Sequence, residues 1–379
     1  MFPEVGVAQL FKHSEELCGD KVIMVKNAEN TIIVLSDGLG SGVKANILAT
    51  LTTKIISGML LQGSSLEDVV DTVANTLPVC SVRKVAYSTF HIIIINNKGE
   101  AYVAEFDCPA TLLYRNGKVV RFPVTETMVS GKKLQIGRLD LQYNDALFAV
   151  SDGVIHAGIG GLLKLGWQQD GLMEYIRTHY NTGKKSEFFS RELINCCEGY
   201  YLGKAGDDTT AVVIKIRKPH KLIMMIGPPM NKNMDKEIVD KLINFNGKKV
   251  VSGGTTASIV SRYLGKPVKV DISSISSEIP PIGSMEGVDL VTEGILTVNA
   301  ISNRLRSSAN RDKSKHDGAD VLLDYLLNAD DIVIMAGKSV NPAHQNPNFP
   351  LQINLKAQVV EKLVEVLREL GKNVIVEWY

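Results

Sequence analysis

Residues 31–42 read Thr31-Ile32-Ile33-Val34-Leu35-Ser36-Asp37-Gly38-Leu39-Gly40-Ser41-Gly42. An apolar, β-branched run ends on a carboxylate and breaks at once into a glycine-rich turn, after which helical spacing begins. The run reads as a strand bounded by a turn signal. A carboxylate at such a strand end can hold a hard cation. Asp37 supplies a charged oxygen, and Gly38 can offer its carbonyl because no side chain blocks the approach. The same arrangement recurs at Ser151-Asp152-Gly153, after the run at residues 146–150, and at Gly206-Asp207-Asp208, just before the run at residues 209–214. Asp20, in Cys18-Gly19-Asp20, repeats it ahead of the first hairpin.

A single Asp-Gly pair is more often a plain turn. Several strand-end carboxylates that converge on one spot repel each other, and divalent cations are the usual remedy. An all-oxygen donor set suits Mg²⁺ or Mn²⁺ and disfavours zinc, which takes His or Cys. Two such ions can activate a water and stabilise a phosphoryl transition state.

The rest of the chain bounds the reading. Its 379 residues exceed one typical domain, so two are expected. Lys+Arg 42 against Asp+Glu 41 leaves a net charge of +1, which offers no electrostatic grip on nucleic acid or an anionic membrane. No apolar run approaches the roughly 18 residues that span a bilayer, and the first residues, Met1-Phe2-Pro3-Glu4, carry no signal pattern. The five cysteines are odd in number and form no C-x-x-C pair, so a reduced, cytoplasmic setting is the simplest expectation.

Hairpin signals crowd the region up to about residue 217. Runs at 22–26 and 31–35 flank Asn27-Ala28-Glu29-Asn30. Runs at 87–95 and 101–106 flank Asn96-Asn97-Lys98-Gly99, and those at 112–115 and 118–122 flank Asn116-Gly117. Val43, Ile47, Leu51, Ile55 and Met59 recur at every fourth position and share a helical face. Ser65 and Asp68 form a capping-box-like pair at the next helix. Further helices are expected at 172–180 and 187–200. Locally paired strands with helices in separate blocks give an α+β layered sandwich. Residues 215–220 mark a boundary, beyond which strands at 222–226, 249–251, 268–270, 288–291, 331–335 and 373–377 alternate with helical patterns. That alternation predicts an α/β domain with a mostly parallel sheet over residues 220–379. Residues 302–317, basic and polar, and residues 341–350, rich in Asn and Pro, read as irregular.

The ordered set Gly19-Asp20, Ser36-Asp37-Gly38-Leu39-Gly40-Ser41-Gly42, Ser151-Asp152-Gly153 and Gly206-Asp207-Asp208-Thr209-Thr210 resembles the metal-dependent type 2C (PPM) serine/threonine phosphatases, above all their bacterial SpoIIE-type branch. Tyr87-Ser88-Thr89-Phe90, residues 109–117 and Leu134-Gln135-Ile136-Gly137 fit the same pattern, so the resemblance covers about residues 1–217. It implies an αββα sandwich with two metal ions at one end of its two sheets. Asp37 would bridge both, Gly38 and Asp20 would serve one, and Asp152 and Asp207 the other. Asp208 stands where many relatives carry Asn and would act behind the ligands. The implied substrate is a phosphoserine or phosphothreonine protein, and the branch suggests one like an anti-sigma-factor antagonist. Two departures accompany the match. Leu39 replaces a His that eukaryotic relatives carry, and no Arg precedes Arg83 to grip phosphate. The SpoIIE branch commonly shares both. His156, four residues past Asp152, is a candidate for the missing acid, with an ordinary loop histidine as the alternative. A phosphatase fold that binds metal or a partner without turnover stays open beside the enzyme.

In the C-terminal region, Ser252-Gly253-Gly254-Thr255-Thr256 joins a strand to a helix. Backbone N–H groups there can hold a small anion, with Thr255 or Thr256 adding a hydroxyl. No Walker lysine follows and the dinucleotide fingerprint is absent, so a tight, Thr-capped turn explains the sequence equally well. The basic stretch from residue 302 could close over an anionic ligand or lie as a solvated loop.

Overall fold

The structure, a computed structural model, describes residues 1–27, 29–76, 88–271, 281–306, 317–339 and 352–379. The chain forms two compact units, Met1–Lys218 and Pro219–Tyr379.

The first unit is built on two antiparallel sheets. One has the order β1-β11-β10-β6-β7, from β1 (Phe2–Leu10), β11 (Thr209–Arg217), β10 (Ala146–Val150), β6 (Leu112–Arg115) and β7 (Lys118–Arg121). The other runs β2-β3-β4-β5-β9-β8, from β2 (Asp20–Lys26), β3 (Asn30–Gly38), β4 (Ser88–Asn96), β5 (Glu100–Phe106), β9 (Lys132–Asp140) and β8 (Thr125–Val129). Alternation along each strand sends one set of side chains between the sheets, where Ile33, Leu35, Ile93 and Val103 meet Leu147, Ala149, Val212 and Ile214. The opposite set faces helices. α1 (Gly42–Leu61) and α2 (Leu66–Thr76) cover the second sheet through Leu48, Ile56, Val69 and Val73. α4 (Gln168–His179) and α5 (Ser186–Tyr200) cover the first through Leu172, Ile176, Phe189 and Leu193, while a single turn, α3 (Asp152–Ile155), follows β10. The result is an αββα sandwich. Ser65 caps α2 as its pairing with Asp68 predicts: the Asp68 amide donates to Ser65 Oγ at 3.1 Å and the hydroxyl donates back to the carboxylate at 2.6 Å.

The helix α1 forms where fourfold spacing predicts it, but the first half of that stripe faces outward and only Ile55 and Met59 of it touch the core. Val43, Ile47 and Leu51 are 61%, 53% and 46% exposed. Its buried face is Ala45, Leu48, Ala49, Thr52 and Ile56. Small residues there bring the helix backbone close to the sheet, so the stripe that packs is the less hydrophobic one.

The second unit holds one mixed sheet in the order β14-β15-β16-β13-β12-β17-β18. β12 (Lys221–Ile226), β13 (Lys248–Ser252), β16 (Val288–Thr292), β17 (Asp331–Ala336) and β18 (Asn373–Trp378) pair in parallel, while β14 (Lys269–Asp271) and β15 (Ile282–Met285) add an antiparallel edge. α6 (Asp235–Ile243) and α7 (Gly254–Leu264) pack on one face. α8 (Ile295–Arg306), α9 (Gly318–Asn328) and α10 (Gln352–Glu369) pack on the other. Two elements here, β15 and α8, have no counterpart in the sequence reading. Residues 302–306, expected to be irregular, complete α8, and Ser302 is fully buried. The Arg304 guanidinium is committed to Asp317 through two bonds of 2.6 and 2.7 Å and to Asp320 at 2.8 Å, so it does not close over a ligand. The stretch 341–350 lies outside the described residues.

Candidate metal centre

Strand register brings the first two motifs together. In the β2–β3 hairpin, Asp20 stands directly opposite Asp37, and Asp37 in turn stands opposite Thr89 of β4. An Asx turn fixes that register: Asn27 Oδ1 accepts the amides of Glu29 at 3.0 Å and Asn30 at 2.7 Å. The end of β3 is pinned from the side. Ser36 and Ser88 share a hydroxyl bond of 2.5 Å, and Ser88 Oγ also donates to the Asp37 carbonyl at 2.9 Å.

The other two motifs meet at the end of the first sheet. Ser151 N donates to the Thr210 carbonyl at 3.0 Å, and Thr210 N donates to Ser151 Oγ at 2.8 Å. That exchange sets Asp152, in the first turn of α3, beside Asp207 and Asp208 at the head of β11. The glycines of the Asp-Gly pairs serve close packing. A Cβ on Gly38 would overlap the carbonyl of Ala45 in α1, and one on Gly153 would overlap the carbonyl of Asp208. Each motif therefore carries glycine because a neighbouring main chain occupies the side-chain space.

The carboxylates are grouped and strained by charge. Asp20 is 1% exposed, and its pKa is pushed up to about 7, first by burial and then by the charges of Asp208 and Asp152, against hydrogen bonds from Ser151 and Thr210. Burial also raises Asp37, reinforced by the charges of Asp20, Asp152 and Asp207. Asp207 is raised by burial and by Asp152, and eased by the Asp208 amide and the Lys12 charge. Three buried oxygens have no hydrogen-bond partner: Asp20 Oδ1, Asp152 Oδ1 and Asp208 Oδ2. Orphaned carboxylate oxygens in an all-oxygen cluster fit a hard divalent cation. No group of three or more His, Cys, Asp or Glu side chains among the described residues is set at ligand geometry around one point. The carboxylates thus share a neighbourhood and a field without closing into a preformed cage.

Asp20, Asp37, Gly38, Asp152, Asp207 and Asp208 are the sequence candidates brought together here. His156 sits at the rim, about half exposed, with Nδ1 3.8 Å from Asp152 Oδ2. Gly253, Gly254, Thr255 and Thr256 belong to the second unit. Sequence reasoning missed the support behind Asp20: Gln9 Nε2 donates to Thr210 Oγ1 at 3.0 Å, and Thr210 Oγ1 donates to Asp20 Oδ2 at 2.7 Å. It also missed Lys12, whose amide donates to Asp208 Oδ1 at 3.1 Å. Both come from β1 or its end, and β1 pairs with β11 about 200 residues away, so no local signal marks them. Arg83 lies outside the described residues.

Behind the cluster, His91 ties the two sheets. This β4 residue is fully buried, with Nε2 3.3 Å from the Val150 carbonyl and Nδ1 3.3 Å from Thr111 Oγ1. Burial pushes its pKa down to about 4, which leaves a neutral ring that donates from Nε2 to the carbonyl. Cys108 donates its thiol to the Phe90 carbonyl at 3.3 Å, and burial pushes its pKa well up, so it is a quiet turn residue.

The family described as stage II sporulation protein E (SpoIIE) matches residues 27–217. No curated protein matches the chain. Among solved structures, the PP2C phosphatase domain with a fragment of the regulatory domain of SpoIIE from Bacillus subtilis is 18% identical, with a TM-score of 0.50, over 57% of this chain and 64% of that one. The match therefore spans less than two thirds of that relative, and at this identity the likeness shows the fold. The SpoIIE phosphatase domain from Bacillus subtilis in a form without domain swapping is 19% identical (TM-score 0.45; 57% and 92% covered). RsbX in complex with magnesium is also 19% identical (TM-score 0.41; 56% and 94% covered).

Proposed function

The chain belongs to the SpoIIE family of type 2C phosphatases, and from that premise we propose that its first unit is a metal-dependent phosphoserine/phosphothreonine protein phosphatase. One observation carries the reading. Four acidic motifs, spread over nearly 190 positions, end at one edge of two facing sheets, with their charges coupled and three buried oxygens unpartnered. Asp37 would be shared between two Mn²⁺ or Mg²⁺ ions, with Asp20 and the Gly38 carbonyl on one side and Asp152 and Asp207 on the other. When bound, such a pair would supply Lewis acidity toward a phosphoryl group and toward the attacking water.

The chain's own residues do the rest. Gln9 and Thr210 orient Asp20, and Ser151 aligns the turn that carries Asp152. Asp208 holds the Lys12 backbone, which keeps a lysine beside Asp207, where it can meet a phosphate in place of the missing arginine. Leu39 leaves the usual acid position without a proton, and His156, half exposed beside Asp152, is the candidate donor to the leaving alkoxide. The open rim admits a loop of a folded phosphoprotein, and a protein of the anti-sigma-factor-antagonist kind is the proposed partner. Residues 220–379 are proposed as a regulatory, ligand-binding domain. Among the described residues no helix is long and apolar enough to cross a membrane; a cytoplasmic setting is part of the proposal.

The purified protein should hydrolyse an aryl phosphate and a phosphoserine protein with Mn²⁺, and Asp37→Ala or Asp152→Ala should abolish both. Full activity in excess chelator would overturn the reading. Leu39 and the lack of an early Arg favour one alternative, a fold that binds metal or a partner without turnover. Metal-dependent stabilisation with no hydrolysis of any phosphoprotein would select it.

A further inference from the structure

The second unit holds a cavity of about 690 Å³, large enough for a nucleotide-sized ligand. It opens at the carboxyl ends of β12, β13, β16 and β17. In the parallel part of that sheet the spatial order β16-β13-β12-β17-β18 leaves β12 with its two sequence successors on one side and the later strands on the other. A sheet wound in both directions from one strand has a crevice at that reversal, outside the carboxyl ends, where ligands bind.

Four observations specify the ligand. First, α7 begins at the cavity with Gly254 and has no side chain capping its N-terminus, so its first amides stay available to an anion. α8 begins at Ile295 on the same wall, so two helix N-termini meet there. Second, Thr256 lines the cavity, is 1% exposed, and has an Oγ1 without a hydrogen-bond partner. A buried hydroxyl left unsatisfied costs stability unless a ligand completes it. Third, Lys356 brings a cation to the rim: its Nζ donates to the carbonyls of Gly337 at 3.0 Å and Ser339 at 2.8 Å and retains a third proton. Fourth, the opposite chemistry is also present. Glu293 lines the cavity with a buried, unpartnered Oε2, and Trp378 offers a ring at the end of β18. A carboxylate acceptor suits sugar hydroxyls, and an aromatic face suits a planar base.

We propose that this cavity binds a nucleoside monophosphate, with the phosphate on the α7 N-terminus and Thr256, the ribose hydroxyls on Glu293, and the base against Trp378. No Walker lysine follows the glycines, and Glu293 and Glu361 repel further negative charge, so a single phosphate fits better than a triphosphate. The site shares no residue with the carboxylate cluster and stands or falls independently of the phosphatase reading.

The test is calorimetric titration of the full chain, in chelator so that the acidic cluster takes no part. AMP, GMP, ribose 5-phosphate and inorganic phosphate are the probes. The expected result is saturable binding of a nucleoside monophosphate, weaker binding of ribose 5-phosphate, and weakest binding of phosphate. Thr256→Val and Lys356→Met should each weaken it by about tenfold, as loss of a charge-assisted hydrogen bond does. Thr256→Ser should retain it. Unchanged cooperative unfolding of the variants shows that they fold. The proposal is overturned by no saturable heat at about 1 mM probe, by phosphate binding as tightly as the nucleotides, or by affinity that Thr256→Val leaves intact.

Discussion

Asp20→Asn separates what the acidic cluster costs from what it is for. In the metal-free protein the Asp20 carboxyl titrates at about 7 against 3.8 for the free side chain. Three pH units at about 1.4 kcal/mol each set a ceiling of about 4 kcal/mol on the cost of holding that charge at neutral pH. Part of the repulsion passes to Asp37 and Asp208 once Asp20 protonates, so about 2 kcal/mol is the realistic gain from neutralising it. Asparagine keeps the oxygen that accepts from Thr210 Oγ1, so the hydrogen bond survives.

The sign follows from linkage. A carboxyl whose folded pKa is raised contributes stability that is complete below about pH 4 and is lost as pH rises through the folded value. Relative to Asp20→Asn, metal-free wild type should therefore gain stability between pH 7.5 and pH 5, the His91 contribution being common to both proteins. Calorimetry of the full chain reads the difference on the transition that Mn²⁺ moves. Without metal the variant should melt about 4–8 °C higher. In wild type, Mn²⁺ at 100 times its dissociation constant should add about 2.7 kcal/mol, and the variant should lose most of that gain. A variant that is less stable than wild type without metal, or that keeps the full Mn²⁺ shift, would refute the picture of like charges awaiting a cation.

Further outcomes follow from the same geometry. Gly153→Ala forces a methyl into the Asp208 carbonyl and should cost about 1–3 kcal/mol in urea unfolding together with the metal response, as overpacking against fixed backbone does. His91 carries a depressed pKa, so its contribution is present above about pH 6.5 and is lost as pH falls toward 4. Relative to His91→Gln, wild type should lose about 2 kcal/mol between pH 6.5 and 5. Glu105, 4.0 Å from the ring and raised by burial, works in the opposite direction in both proteins and cancels in the difference. His156→Gln should lower kcat on a phosphoserine substrate by about 10²-fold while sparing an aryl phosphate, whose leaving group needs no proton. Equal loss on both substrates would assign the ring a merely structural role.

Local patterns carried most of the fold. The hairpins showed themselves through Asn-rich turns between β-branched runs, and the parallel sheet through the alternation of short apolar runs with helical spacing. What failed is informative. The fourfold stripe of α1 splits, with Val43, Ile47 and Leu51 facing solvent and Ile55 and Met59 touching the core, while Ala45, Ala49 and Thr52 pack through shape. Polarity hid α8: Asn299, Ser302, Asn303 and Arg304 lower its mean hydropathy, although Val298 and Ile301 are fully buried. The acidic motifs were legible because each sits at the end of its own strand. Their support was not, because Gln9 reaches Thr210 across a pairing that only the closed sheet creates.

The Asp-Gly pairs carry more than one constraint. For a cation, glycine leaves a carbonyl open; for the fold, it leaves room for Ala45 over Gly38 and for Asp208 over Gly153. The second constraint holds without any metal. A carboxylate cluster opposed by its own burial needs a rigid frame to keep its members together. Here that frame is backbone pressed on backbone at two glycines, with the His91 ring bonded across the sheets to the Val150 carbonyl, two residues before Asp152. Removing charge should therefore relax the site and leave its shape, whereas adding a single methyl should displace it. The Asp20→Asn and Gly153→Ala pair sets these effects against each other, since both should weaken the response to Mn²⁺ while moving metal-free stability in opposite directions.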